Sequence, residues 1–351
     1  MASTGEASTR RPALDGLRGV AILLVVIGHG GVDHRLGGLA ASGVTLFFAL
    51  SGYLITGNLL REHALTGRVR LSRFYWRRLT RLGPSLFVMV AVVTIGVGGL
   101  PWQAVAQALT WTTDLAAFTG LDYGPFGLTW SLAVEEQFYL LWPLALGLLL
   151  ARRHPVLVLA AVTLVLMYWR GYLLMHGAYV WGYSSPEVAG TSILAGCLVA
   201  MVRLRCSAWV GATCLAFLVA AGASASLLGG GLWYFVPLVV TPAAACLVAA
   251  AEQMPVLTWR PLTFCGVVSY SVYLWHEPGG ALFGFDLLTP AGTLAGAALG
   301  LVAYFAVEAP VMRYRSAHQA RTTARRPVHG SVSHGAGNAA DATPAAAVQL
   351  A

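Results

Sequence analysis

Charge is what this chain has least of. Only 10% of its 351 residues are Asp, Glu, Lys or Arg, where soluble globular domains carry about 25%. A chain so depleted cannot cover a water-facing surface, which excludes a cytosolic enzyme. Its 57% hydrophobic content and mean hydropathy of +0.70 exclude a disordered one. Lysine is absent altogether: the 22 basic residues are all arginine, against 14 acidic ones, for a net charge of +8. Arginine-rich cytoplasmic loops of a membrane protein explain that balance better than nucleic-acid binding does. Cysteine is sparse. Cys197, Cys206, Cys214, Cys246 and Cys265 form no CxxC pair and mostly sit in apolar runs. That excludes a secreted disulfide scaffold, and neither a zinc site nor any other metal site is expected.

What the chain does have is long apolar runs. Windows of ~17–25 apolar residues read as membrane spans, and ten are found: 14–31, 39–60, 83–100, 128–150, 156–169, 188–202, 208–228, 233–251, 262–285 and 289–308. The stretch 101–127 is compatible with spanning, lying at the interface or re-entering. The arginines arbitrate. With the N-terminus inside and 101–127 not crossing, the inner segments hold Arg10, Arg11, the seven arginines from Arg61 to Arg81, Arg152, Arg153, Arg203, Arg205, Arg260 and the five from Arg313 to Arg326. Only Arg35 and Arg170 fall outside, and Arg18 lies within the first span. The expected fold is therefore an all-α polytopic transmembrane bundle of about ten spans, both termini cytoplasmic. Residues 1–12 form a short cytoplasmic segment, 13–312 the membrane domain and 313–351 a disordered cytoplasmic tail. The first span is retained rather than cleaved as a signal peptide, because Arg18 and His29 are costly there unless used. No internal repeat is found.

An ionisable side chain in hydrocarbon costs at least ~2.5–3.5 kcal/mol, so each one is a candidate functional residue. The candidates are Asp15, Arg18, His29, Glu135, Glu136, His276, Glu277 and Glu308. Arg18 and His29 share a helix face, offset by about 20° and separated by ~16 Å along the axis. Leu128, Ser131, Glu135 and Tyr139 share another, which nominates Glu135 over Glu136 to face a polar cavity. A buried Glu–Arg pair is the structural alternative. For His276 and Glu277, a structural and a chemical role are equally open. In the loop 61–82, Arg73, Arg77 and Arg81 recur every four residues, with Arg78 beside them. The face suits anions, either the inner leaflet or a phosphate-rich cosubstrate.

These residues fall in ordered blocks: Leu14-Asp15-Gly16-Leu17-Arg18-Gly19 through His29, Gly43 to Ile55, Arg77 to Pro84, Trp130-Ser131-Leu132 with Glu135-Glu136-Gln137-Phe138-Tyr139, Ser269 to His276, and Glu308-Ala309-Pro310. The set, over about residues 12–312, resembles the bacterial membrane-bound acyltransferase-3 family. That family includes O-acetylases of O-antigen and exopolysaccharide and macrolide O-acylases.

The resemblance implies a multi-pass inner (plasma) membrane enzyme that takes an acyl group from cytoplasmic acyl-CoA. The acceptor would be a hydroxyl on a saccharide, a lipid-linked sugar or a macrolide-type natural product. Such an enzyme would serve polysaccharide modification or antibiotic biosynthesis. Carried over by position, His29 is the catalytic histidine, Arg18 its motif partner and Glu135 the motif carboxylate. Arg77, Arg78 and Arg81, with Arg73 on the same face, would meet the CoA phosphates. Acyl-CoA is a cosubstrate, and no bound cofactor is expected. Two departures are the lack of an appended hydrolase-like domain and short loops, which tilt the acceptor toward something small or lipid-linked. In the expected mechanism His29 is the general base, Glu135 orients it or stabilises the imidazolium, and Arg18 guides the cosubstrate. A transporter or flippase is the alternative class, since ten spans with intramembrane charges fit it as well.

Overall fold

The computed structural model describes residues 11–30, 36–115, 123–285 and 289–324. Arg10, Arg35, Arg325, Arg326 and the tail beyond Ala324 lie outside the described residues. Every described element is helical. Among these residues, nine helical segments are long and apolar enough to cross a membrane, from Pro12–His29 to Pro290–Ala317. The protein is an all-α, multi-pass membrane bundle.

The helices are α1 (Pro12–His29), α2 (Gly37–Thr66), α3 (Leu71–Val97), α4 (Trp102–Thr110), α5 (Trp130–Leu150), α6 (Pro155–Met175) and α7 (Tyr179–Ser184). They continue with α8 (Pro186–Val202), α9 (Ala208–Leu228), α10 (Val236–Ala250), α11 (Arg260–Trp275), α12 (Pro278–Leu282), α13 (Pro290–Ala303) and α14 (Ala309–Ala324). The outermost faces are apolar: Leu140, Leu141, Leu144 and Leu148 of α5 and Leu164 and Val165 of α6 are all exposed. Such surfaces are expensive in water and matched to hydrocarbon.

Nine of the ten expected spans are continuous, and the remaining one is broken. The window 262–285 is α11, two linking residues and the short α12. Pro278 causes the interruption, because it has no N–H to donate back into the preceding turn. Gly279 and Gly280 then weaken the helix further. The two linking residues are His276 and Glu277. The break thus presents two ionisable side chains from one corner.

Close packing fixes where that corner lies. α1 packs between α2 and α11. A Cβ on Gly266 of α11 would collide with the carbonyl oxygen of Asp15 in α1, so the two backbones touch there. A Cβ on Gly296 of α13 would collide with the carbonyl oxygens of Trp275 and His276. The broken corner is therefore clamped between α13 and the end of α1.

The open segment 101–127 does not cross as a single helix among its described residues. α4 has nine residues, about 14 Å, against a hydrocarbon core of ~30 Å. Short 3₁₀ turns follow at Thr113–Leu115 and Gly124–Thr129. Asp114, fully buried, accepts a hydrogen bond of 2.9 Å from Gln137 Nε2 and so ties the segment to α5. Burial raises the Asp114 carboxyl above its ordinary pKa, and the Gln137 donor partly opposes the shift.

Two boundaries move. α3 begins at Leu71, so the arginine face of the 61–82 loop is continuous with the third span. At the other end α14 runs to Ala324, so residues 313–324, read as the start of a disordered tail, are helical. Among the described residues, 312–324 group as a unit apart from those up to Val311.

Candidate active site

α1 ends at His29, and its ring meets the corner between α11 and α12. His29 Nδ1 lies 2.7 Å from Nε2 of His276, with the two rings parallel to within 1°. The same Nδ1 is 3.1 Å from Glu277 Oε1, which stands 3.7 Å from His276 Nε2. His276 is fully buried. Its Nδ1 is 2.7 Å from the Tyr273 carbonyl oxygen.

These contacts fix the protons. A carbonyl only accepts, so His276 Nδ1 carries a hydrogen and its Nε2, when neutral, accepts. His29 Nδ1 must then be the donor, shared between His276 Nε2 and the Glu277 carboxyl. The lone pair of a neutral His29 is left on Nε2, the nitrogen a general base would use.

The three donors also lie within 4.8 Å of one another, as a metal site would require. Two ligands bonded at ~2.0–2.1 Å to one ion stay about 2.9–3.3 Å apart. The imidazole nitrogens, at 2.7 Å, are closer than that. The geometry is that of a shared proton.

A second polar cluster lies deeper in the bundle, and it holds the other two expected catalytic residues. Glu135 Oε1 accepts a 2.7 Å hydrogen bond from Ser51, so the carboxyl beside His29 is Glu277 rather than Glu135. Arg18 lies within electrostatic reach of Glu135, Arg81 and Glu308. The structure brings Arg18 and Glu135 together, and it brings neither to His29. Arg78 turns inward: its Nη2 is 3.2 Å from Glu136 Oε1, and its guanidinium carbon stands 3.2 Å over the Tyr139 ring. Arg73, Arg77 and Arg81 keep exposed positions on one face of α3.

The sequence blocks interlock in pairs. Ser51 meets Glu135, Arg78 meets Glu136, and Ser131 Oγ lies 2.6 Å from the Tyr273 hydroxyl. Ser271 donates to Glu308 at 2.6 Å, and His29 meets His276. His276 and Glu277 are the partners that spacing along the chain did not assign. They lie some 247 residues from His29, and the signals were two ionisable groups before a proline in an apolar run and, for His276, its place at the end of the Ser269–His276 block.

Fold and site together define a polytopic membrane protein with a buried imidazole–imidazole–carboxyl constellation at one end of its bundle. The chain belongs to the acyltransferase-3 family, whose acyltransferase domain matches residues 11–312. It is 30% identical over 305 residues to the peptidoglycan O-acetyltransferase OatA of Listeria monocytogenes, covering 76% of this chain and 49% of that protein. It is 29% identical over 306 residues to the O-acetyltransferase OatA of Staphylococcus aureus, covering 76% of this chain and 50% of that protein. It is 28% identical over 311 residues to the putative peptidoglycan O-acetyltransferase YrhL of Bacillus subtilis, covering 76% and 48%. The chain thus spans about half the length of these relatives. No solved structure matches it.

Proposed function

We propose that the chain is a membrane O-acyltransferase that moves an acetyl or other short acyl group from acyl-CoA to a hydroxyl of a cell-wall saccharide. The observation that carries this reading is the convergence of His29, His276 and Glu277 in a chain of the acyltransferase-3 family. The saccharide acceptor follows from the names of the relatives, one a peptidoglycan O-acetyltransferase and another a putative one.

In the proposed reaction the acceptor hydroxyl gives its proton to His29 Nε2 as its oxygen bonds to the thioester carbonyl carbon. The tetrahedral intermediate collapses, the C–S bond breaks, and the CoA sulfur leaves with the proton returned from His29. Glu277, next to Nδ1–H, stabilises the transient imidazolium, and His276 holds the ring in the productive tautomer. The donor's phosphates sit on the exposed Arg73, Arg77 and Arg81 face at the cytoplasmic end. Its acyl arm follows the ~16 Å from the depth of Arg18 to that of His29. Arg18 balances charge along that path.

The test uses membranes from an expressing host, radiolabelled acetyl-CoA and solubilised wall glycan fragments. Label passing into a base-labile ester, and lost in His29→Ala, is the expected result. No transfer to any saccharide, or equal transfer by His29→Ala, overturns the reading.

A further inference from the structure

Four aromatic side chains form an interlocked track at the His29 end of the bundle. Trp233 stacks on Tyr234 with centroids 3.8 Å apart. Tyr183 meets both, at 5.0 Å and 5.7 Å, and Trp130 lies 5.1 Å beyond it. The track leads to the proposed catalytic site, because Ser131, next to Trp130, is bonded to Tyr273, whose ring centroid is 5.4 Å from that of His276.

Two features separate this track from ordinary packing. Among the described residues, the hydroxyls of Tyr183 and Tyr234 and the indole nitrogens of Trp130 and Trp233 have no hydrogen-bond partner, and these atoms keep access to the space beside the half-buried rings, where a bound polar group could reach them. The second feature is how the track is held. Arg170, fully buried, donates to the carbonyl oxygens of Gly182, Tyr183 and Val188 at 2.9, 3.3 and 3.4 Å. It thereby satisfies the last-turn carbonyls of α7 and fixes the turn that carries Tyr183. A costly buried charge is used to hold one aromatic ring in place.

We propose that Trp233, Tyr234, Tyr183 and Trp130 form the acceptor subsite, on which a saccharide chain lies with one hydroxyl directed toward His29. A sugar ring presents an apolar C–H face that stacks on π-surfaces and a rim of hydroxyls that suits unpartnered O–H and N–H groups. A lipid tail offers only the first, and a free phosphate only the second. The proposal rests on the acyl-transfer reading of the neighbouring site and deepens it by assigning the acceptor's place.

The test measures binding apart from chemistry. The full chain in nanodiscs is titrated with a tetramer of N-acetylglucosamine and followed by tryptophan fluorescence and thermophoresis. Acetyl transfer to the tetramer and to glycerol is assayed in parallel. Trp233→Ala with Tyr234→Ala should weaken tetramer binding and raise its KM by about tenfold or more, with a much smaller change in kcat. Tyr183→Phe, which keeps the ring, should lose less. Trp209→Ala, an exposed tryptophan in another helix, serves as the control and should leave both unchanged. Wild-type chain that acetylates glycerol but does not bind the tetramer overturns the subsite and leaves the acyl-transfer reading standing. Unchanged binding in the double variant also overturns it, and marks the rings as a membrane-interface belt. Binding lost in the double variant, in protein that transfers no acetyl group to either acceptor, supports the subsite and sinks the acyl-transfer reading instead.

Discussion

His29 Nδ1 and His276 Nε2 stand 2.7 Å apart, joining the end of the first helix to a break in another helix 247 residues away. At that distance the two nitrogens share a hydrogen and do not flank an ion. Chelation is therefore expected to leave both acyl transfer and thermal stability unchanged. Elemental analysis of the purified protein is expected to find no metal in proportion to chain. Stoichiometric zinc, or a melting temperature that falls on chelation, would contradict the shared-proton geometry.

Gly296 allows α13 to lie against the carbonyls of Trp275 and His276. Gly296→Ala puts a methyl group into that contact and is expected to cost about 1–3 kcal/mol, as overpacking does. Because the strain falls on the residue that holds His29, activity should drop further than stability. Gly147→Ala is the control, since a Cβ there meets nothing within 4 Å. Melting curves and transfer rates on the same preparations separate the two effects. Equal behaviour of both variants would remove Gly296 from the account.

The arginines of α3 divide by what they touch. Arg78→Ala strands the largely buried Glu136 and removes the contact over Tyr139, so a loss of about 2–3 kcal/mol is expected. Arg78→Lys should rescue it only in part, because an ammonium cannot lie flat on the ring and bond the carboxylate as a guanidinium does. Arg73→Ala, on the exposed face, should leave melting unchanged and raise the KM for acyl-CoA. The reverse division would make the exposed face a topology anchor only.

Asp114 supplies a pH dependence. Its carboxyl titrates above the ordinary value in the folded chain because burial disfavours the charged form. The folded state thus holds a proton that the unfolded state has released. Stability is highest below the unfolded pKa and falls as pH rises through the window up to the folded one. Asp114→Asn removes that loss, so its melting temperature should gain on wild type as pH rises above about 4. A difference that stays flat, or shrinks with rising pH, would show that Asp114 is not held protonated.

Much of this was legible in the chain itself. Hydrophobic runs gave the spans because a bilayer demands long uninterrupted apolar helices, and nine of ten windows met that demand. The window 262–285 looked continuous because hydropathy averages over a break that only Pro278 and two glycines mark. His29 and Arg18 were correctly put on one helix, but helical spacing says nothing about partners on other helices. Sharing a face with Ser131 nominates Glu135 to face a polar cavity, and the resemblance adds the role of orienting carboxylate, whereas tertiary packing gives it Ser51 and gives His29 the corner residues. Arg73, Arg77 and Arg81 do fall on one face of α3, as their four-residue spacing requires. Arg78 departs from it because Glu136 and Tyr139 on α5 draw it inward.

The most direct measurement is the initial rate of acetyl transfer by Glu277→Gln beside Glu135→Gln and His29→Ala, at matched protein levels in membranes. His29→Ala should lose about 10²–10⁴-fold, the range of a positioned acid–base group. Glu277→Gln should fall at least about tenfold through loss of imidazolium stabilisation, with its folding intact. Glu277→Gln within twofold of wild type would mean that the proximity of Glu277 to His29 has no part in the chemistry.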